Sequence, residues 1–394
     1  MNDKFSLNKF NPNKFDLAKF NLAKFNLIVA GGKTGGHLFP GIAVAQALKT
    51  ANPEAKILFV GTDAPFEIAT LKTYEFNHKA IMAKPIKGGS LLGKLISIGF
   101  TLGSLIQSLV LLIRFKPDFV LGVGGFSSFA VVLAAWILRI PRAIQEQNSI
   151  PGITNRLLSR FSDIIFTGFE TTRGMEQNPK TRYVGNPIRR ANPVQTRESN
   201  NESNRATDIR PEDFTILVTG GSQGAASINH AVMEALNLMD LAQVHIIHQT
   251  GLAEESQIQK AYAKLKVSST VQAFFHDMPD LQDRANLVVT RAGAGTISEL
   301  TFKGIPAILV PFPHAADDHQ TCNAKILAEK GAAILIADRD LTGPLLKQTL
   351  QDLMKDKDRL KQMGIAAKKL AMPDADKIIA SAILNTKDYN HVSK

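Results

Sequence analysis

The chain has 394 residues, 44% of them hydrophobic, and a formal net charge of +11. That length and apolar content allow two domains with separate cores and exclude a chain disordered throughout. Cys322 is the only cysteine, which excludes an internal disulfide and a cysteine-based metal site; the positive charge points to phosphorylated or anionic-lipid partners rather than nucleic acid, because no zinc-finger spacing and no basic run interleaved with aromatics occurs.

Residues 1–26 repeat Lys-Phe every five residues, from Lys4-Phe5 to Lys24-Phe25. Five lysines against Asp3 and Asp16 leave a positive stretch. A period of five does not keep one helix face, and Pro12 interrupts a helix. Two readings stand: a low-complexity extension, or a weak anchor in which phenylalanine enters a lipid interface and lysine meets the head groups. No apolar core of signal-peptide length is present.

Next, Leu27–Ala30 reads as a strand, Pro40–Lys49 as a helix with proline in its first turn, and Ile57–Val60 as a strand. Leu91–Phe115 approaches the length of a membrane span, but Ser97, Gly99, Gly103, Ser104, Gln107 and Ser108 recur through it. A buried helix beside a surface loop is expected there, with a dip into the membrane interface as the alternative. Phe119–Leu121 (strand) and Ser127–Leu138 (helix) follow. Gln195–Asp213 is polar and charged, a linker or surface insertion.

Alternation then resumes. Thr215–Thr219, Val244–Gln249, Leu287–Thr290 and Ala307–Val310 read as strands; Ala225–Leu238, Glu254–Leu265, Thr296–Phe302 and Gln320–Glu329 read as helices. Repeated βαβ units imply parallel sheets. The expected fold class is α/β: two Rossmann-like domains facing a central cleft, over 27–190 and 213–375. A linker at 191–212 joins them, and 376–394 is a C-terminal extension.

Four strand-like runs end in glycines before a helix-like pattern: Gly31 to His37, Gly122 to Gly125, Gly220 to Gly224, and Arg291 to Gly295. Such turns bring bare N–H groups and a helix start to an anionic ligand. The first is neither G-x-G-x-x-G nor a P-loop, which disfavours a nicotinamide enzyme or an ATPase. His37 in that turn can take a proton from an alcohol; the plainer reading is a surface histidine near a helix cap. Glu299, a turn into the helix behind the fourth of these turns, can accept two ribose hydroxyls or merely favour the helix dipole. Pro311 to Asn323 gathers amide, imidazole and carboxylate groups suited to sugar hydroxyls. No H-E-x-x-H appears, and no metal is expected.

Together these segments resemble the bacterial MurG-type N-acetylglucosaminyltransferases, within the GT-B glycosyltransferases of family 28. The resemblance rests on Gly35 to Pro40, Gly122 to Phe126, Gln145-Glu146-Gln147-Asn148, Val184 to Arg189, Gly220 to Ala225, Arg291 to Glu299, and Asp318-His319-Gln320 with Asn323, in the family's order. It implies inverting transfer of N-acetylglucosamine from UDP-GlcNAc to the 4-hydroxyl of the muramyl sugar of lipid I, giving lipid II. It implies no cofactor, and it places the chain peripherally at the cytoplasmic face of the inner membrane, among wall-synthesis and division proteins.

By position, Phe275 matches a backbone contact to uracil, and Arg189 and Ser222 match nucleotide-side contacts. Ala294, Gly295, Thr296 and Glu299 match phosphate and ribose contacts. His319 and Gln320, with Asn323 beside them, match the donor-sugar segment. Thr34, Gly35, Gly36 and Asn148 match the acceptor-side cleft and donor contacts. Lys84, Lys87 and Lys94 beside Leu91, Leu92, Leu95 and Ile96 are expected to meet an anionic membrane. Lys33 departs from a common glycine, and His319 from a glutamine. The alternatives are a UDP-GlcNAc 2-epimerase-like enzyme and a non-catalytic nucleotide-sugar-binding scaffold.

Overall fold

The computed structural model describes residues 24–32, 34–82, 91–188, 210, 212–265 and 267–392, without the side chains of 91–98 and 387–392. The pentad repeat up to residue 23, Lys33, Lys84, Lys87, Arg189 and nearly all of the linker therefore lie outside the described residues, as do the side chains of Leu91, Leu92, Lys94, Leu95 and Ile96.

The first sheet has seven parallel strands: β1 (Asn26–Gly31), β2 (Lys56–Gly61), β3 (Asn77–Ala80), β4 (Phe119–Gly124), β5 (Arg142–Glu146), β6 (Ile164–Thr167) and β7 (Thr181–Tyr183), in the order β3-β2-β1-β4-β5-β6-β7. Its helices are α1 (Gly35–Ala51), α2 (Pro65–Thr73), α3 (Leu91–Phe115), α4 (Phe126–Ile137) and α5 (Ile153–Leu158). The β1 sequence is a continuous apolar run because both faces are covered. Leu27 and Val29 enter one core and Ile28 and Ala30 the other.

The second sheet has six parallel strands: β8 (Phe214–Thr219), β9 (Val244–Gln249), β10 (Ser268–Gln272), β11 (Leu287–Thr290), β12 (Ala307–Leu309) and β13 (Ala333–Leu335), in the order β10-β9-β8-β11-β12-β13. Its helices are α6 (Ala226–Asn237), α7 (Glu255–Leu265), α8 (Met278–Arg284), α9 (Ala294–Lys303), α10 (His319–Glu329), α11 (Gly343–Lys355) and α12 (Lys357–Lys369). In each sheet the strand order reverses beside one strand, between β1 and β4 and between β8 and β11. Open α/β sheets bind ligands at the carboxyl ends of such pairs. The four glycine turns are the loops leaving those four strands.

Four features differ from the sequence reading. Helix α1 starts at Gly35, a turn earlier than expected, so Pro40 stands in its second turn. Proline has no N–H to return to the carbonyl four residues back, which leaves the Gly36 carbonyl without its intrahelical donor. Phe25, counted with the pentad tail, is 1% exposed and belongs to the first core. The final helix α13 (Ala375–Val392), read as an extension, packs on α1 and inserts Ile379, Ile383 and Leu384 into that same core. Helix α3, expected to be buried, covers only one side: Ser104, Ser108 and Leu112 face inward, while Leu102, Ile106, Val110 and Ile113 are between 44% and 62% exposed. Among the described residues no helix is long and apolar enough to cross a membrane.

Candidate active site

A cleft of about 510 Å³ lies between the two sheets. Thr34, Gly35, Gly36, His37 and Asn148 line it from the first half; Ser222, Phe275, Ala294, Gly295, Thr296, Glu299, His319 and Gln320 line it from the second. Thirteen of the fifteen residues singled out in the sequence therefore share one cavity. Arg189 lies outside the described residues. Asn323 is fully buried behind the wall, where Oδ1 accepts from the Ser149 N–H at 3.0 Å and the Ser149 hydroxyl at 2.8 Å. Its Nδ2 donates to Asn148 Oδ1 at 3.2 Å. Asn323 thus joins the halves rather than opening onto the cavity.

Helices α1 and α9 both begin in the cleft. Their first turns leave N–H groups without intrahelical acceptors and carry the positive ends of the helix dipoles. Neither has a side-chain cap hydrogen bond. That leaves both helix starts suited to an anion.

His37 sits at the third position of α1, and its ring lies against Gly124. A Cβ on Gly124 would stand 2.9 Å from the imidazole, and the φ of +99° there is one that side chains disfavour. His37 Nδ1 is 3.0 Å from Gln147 Oε1. Asn148 is held by Glu146, a buried carboxylate that accepts from the Asn148 N–H at 2.9 Å, the Gly152 N–H at 3.1 Å and Asn155 Nδ2 at 2.9 Å. That one side chain sets the loop after β5.

On the second half, Gln282 Nε2 donates to Glu299 Oε2 at 3.0 Å, orienting the carboxylate at the cavity edge. The Phe275 N–H donates to Gln249 Oε1 at 2.9 Å, so that backbone donor is engaged within the protein. Gln320 Oε1 accepts from the Phe312 N–H at 2.9 Å. His319 Nδ1 is 2.7 Å from the Ala316 carbonyl. A carbonyl only accepts, so this nitrogen carries the proton. Asp317 and Asp318 just before it have φ of 51° and 54°, an uncommon left-handed pair that turns the chain into α10.

Arg291 does not reach for a ligand. Its guanidinium donates to Asp338, to Ser227 Oγ at 2.9 Å and to the Pro311 carbonyl at 3.1 Å, tying the fourth glycine turn to neighbouring loops. Among the described residues no group of three or more His, Cys, Asp or Glu side chains is placed to hold a metal ion.

Gln147, which the sequence reading placed only within a family segment without a role, and Gln249, Gln282 and Phe66, which it missed, also line the cavity. The polar run Gln145 to Asn148, abruptly following an apolar strand, was the available signal for the first. The others needed the fold.

Residues 27–167 match the model of the glycosyltransferase family 28 N-terminal domain, and 215–379 that of the family 28 C-terminal domain. The chain is 43% identical over 356 residues to the UDP-N-acetylglucosamine--N-acetylmuramyl-(pentapeptide) pyrophosphoryl-undecaprenol N-acetylglucosamine transferase of Anaeromyxobacter sp. strain Fw109-5, covering 90% of this chain and 91% of that one. The crystal structure of Acinetobacter baumannii MurG is similar with a TM-score of 0.72 and 28% identity, over 92% of this chain and 99% of that chain. A UDP-GlcNAc 2-epimerase from Neisseria meningitidis shares the fold, with a TM-score of 0.65 and 16% identity over 92% of this chain and all of that one. With both domain models matched in order and such identity along nine-tenths of its length, the chain belongs to glycosyltransferase family 28.

Proposed function

We infer that the chain transfers N-acetylglucosamine from UDP-GlcNAc to the 4-hydroxyl of the muramyl sugar of lipid I, forming lipid II for peptidoglycan synthesis. The observation that carries this is the 43% identity, over nine-tenths of both chains, to a transferase named for that reaction. The cleft supports the chemistry. The acceptor oxygen forms a bond to the anomeric carbon while the bond from that carbon to the β-phosphate oxygen breaks. The electron pair leaves with UDP, and the anomeric configuration inverts. N–H groups at the start of α9 suit the developing negative charge. The hydroxyl proton passes to His37. On this reading Thr34, Gly35, Gly36 and Asn148 shape the acceptor side. Ser222, Phe275, Ala294, Gly295, Thr296 and Glu299 hold the nucleotide with Arg189, and His319 and Gln320 set the sugar's place, with Asn323 behind them tying the halves together.

An acceptor anchored in lipid requires contact with a membrane. The outward row Leu102, Ile106, Val110 and Ile113 on α3, with Arg114 in the last turn, supports a peripheral site on anionic lipid at the cytoplasmic face of the inner membrane. Wall-synthesis and division proteins at that face would be the neighbours.

Incubation with UDP-GlcNAc and a lipid I analogue tests the reading. Transfer of the labelled sugar to the lipid is expected. Conversion of UDP-GlcNAc alone to its 2-epimer, without transfer, would make the chain an epimerase; binding without turnover would make it a scaffold.

A further inference from the structure

The geometry points to Gln147 as a positioning residue that fixes which nitrogen of His37 is free to accept a proton. This inference rests on the reading of His37 as the base, and it adds the group that prepares it.

The tautomer follows from which atoms can only accept. Gln147 Nε2 lies 2.9 Å from the Val123 carbonyl and 3.2 Å from the Gln145 carbonyl. Turning that amide over would set its oxygen against two carbonyl oxygens, so Nε2 must face them and Oε1 must face His37. An amide oxygen only accepts. His37 Nδ1, 3.0 Å away, therefore carries the hydrogen. The Nε2 lone pair is then the one left for the acceptor hydroxyl; on taking that proton the ring becomes an imidazolium that keeps the hydrogen bond to Gln147.

The neighbouring amides agree with this orientation independently. Asn186 Nδ2 donates to the Gln147 backbone carbonyl at 2.9 Å, which fixes the Asn186 amide. Asn186 Oδ1 then accepts from Gln145 Nε2 at 2.9 Å, which turns Gln145 Oε1 toward Gln147 Nε2. Asn186 Nδ2 also reaches Ser298 Oγ at 3.2 Å, and Ser298 donates to the Ala294 carbonyl at 2.9 Å in α9. Donors thus run head to tail from His37 through Gln147, Gln145, Asn186 and Ser298 to the first residue of α9. Gln145, Gln147 and Asn186 are each at most 2% exposed, so water does not compete for these bonds.

The test is the nitrogen-15 spectrum of the full-length protein labelled at histidine, with the His37 signals assigned by their loss in His37→Gln. Neutral His37 should carry its proton on Nδ1, although free imidazole side chains favour Nε2. Gln147→Leu should abolish that preference and lower kcat by about 10–100-fold, the range seen when the hydrogen-bond partner behind a metal-bound histidine is removed. KM for UDP-GlcNAc should stay within about twofold of its original value, because a base contributes after donor binding. Gln147→Glu keeps an acceptor at Nδ1 and, with its other oxygen protonated so that it donates to the Val123 carbonyl, should keep the Nδ1 proton. A wild-type His37 protonated on Nε2 overturns the assignment even if neither variant folds, and so does an unchanged kcat in a folded Gln147→Leu. If His37→Gln turns over normally while the wild-type proton sits on Nδ1, the base reading falls and the positioning contact stands.

Discussion

Unlike the two buried histidines of β9, His37 leaves one ring nitrogen uncommitted. His248 has both ring nitrogens engaged, Nδ1 with Tyr262 Oη at 2.9 Å and Nε2 with Asn229 Oδ1 at 3.0 Å, and His245 divides its nitrogens between Ser268 and Thr270. His37 engages only Nδ1 among the described residues and lines the cleft. His37→Ala should therefore lower kcat by about 10²–10⁴-fold, the usual contribution of a general base, with UDP-GlcNAc affinity nearly kept. Steady-state kinetics beside a donor-binding titration checks both halves of that statement; an unchanged kcat removes His37 from the proton transfer.

At the scale of elements, β9 carries a pH dependence of stability. Asn229 Nδ2 donates to the Thr250 carbonyl at 2.9 Å, so its Oδ1 accepts from His248, whose other nitrogen accepts from Tyr262; the ring is held neutral. Burial lowers the His248 pKa from 6.5 to about 3. Between those values the unfolded chain binds a proton that the folded chain refuses. The stabilising contribution is complete above about pH 6.5 and is lost as pH falls toward 3, by about 1.4 kcal/mol per unit at most. Urea unfolding at pH 7, 6 and 5 should show this slope in the wild type and a shallower one in His248→Gln. Helix α13 gives a second test. Ile383 is fully buried in the core shared with α1 and β1, so Ile383→Ala should cost about 2–5 kcal/mol, seen as a lower Tm. A loss under 0.5 kcal/mol would mean the helix contributes little there.

These elements also show what could be read from the sequence. Strands buried on both faces, such as β1, β8 and β11, announce themselves as apolar runs, and the glycine turns after them mark the ligand end. Strand β3 (Asn77–Ala80) is polar and mostly exposed at the sheet edge, so no apolar run marks it. The docking of α13 on the first half was hidden because its apolar stripe does not say which core it fills. Asn186 to Ser298 spans 112 residues and Ser149 to Asn323 spans 174, so these site contacts exist only once the topology is known.

In the whole molecule the proposed reaction divides the work between the two halves. The first supplies His37 and the exposed α3 face; the second supplies the start of α9, Gln282 and Glu299. They meet through buried Asn323 on Ser149 and Asn148, through Asn186 on Ser298, and through an exposed ion pair of Arg156 with Asp317 at 3.0 Å. Removing Glu299 and removing His37 should therefore have different effects, one on donor binding and the other on turnover. Calorimetric titration of UDP-GlcNAc into the wild type, Glu299→Ala and His37→Ala measures this directly. The prediction is one site per chain, affinity weakened roughly 10–100-fold in Glu299→Ala by loss of hydrogen bonds to a charged group, and affinity near the wild-type value in His37→Ala. No heat from the wild type, or an undiminished affinity in Glu299→Ala, would contradict it.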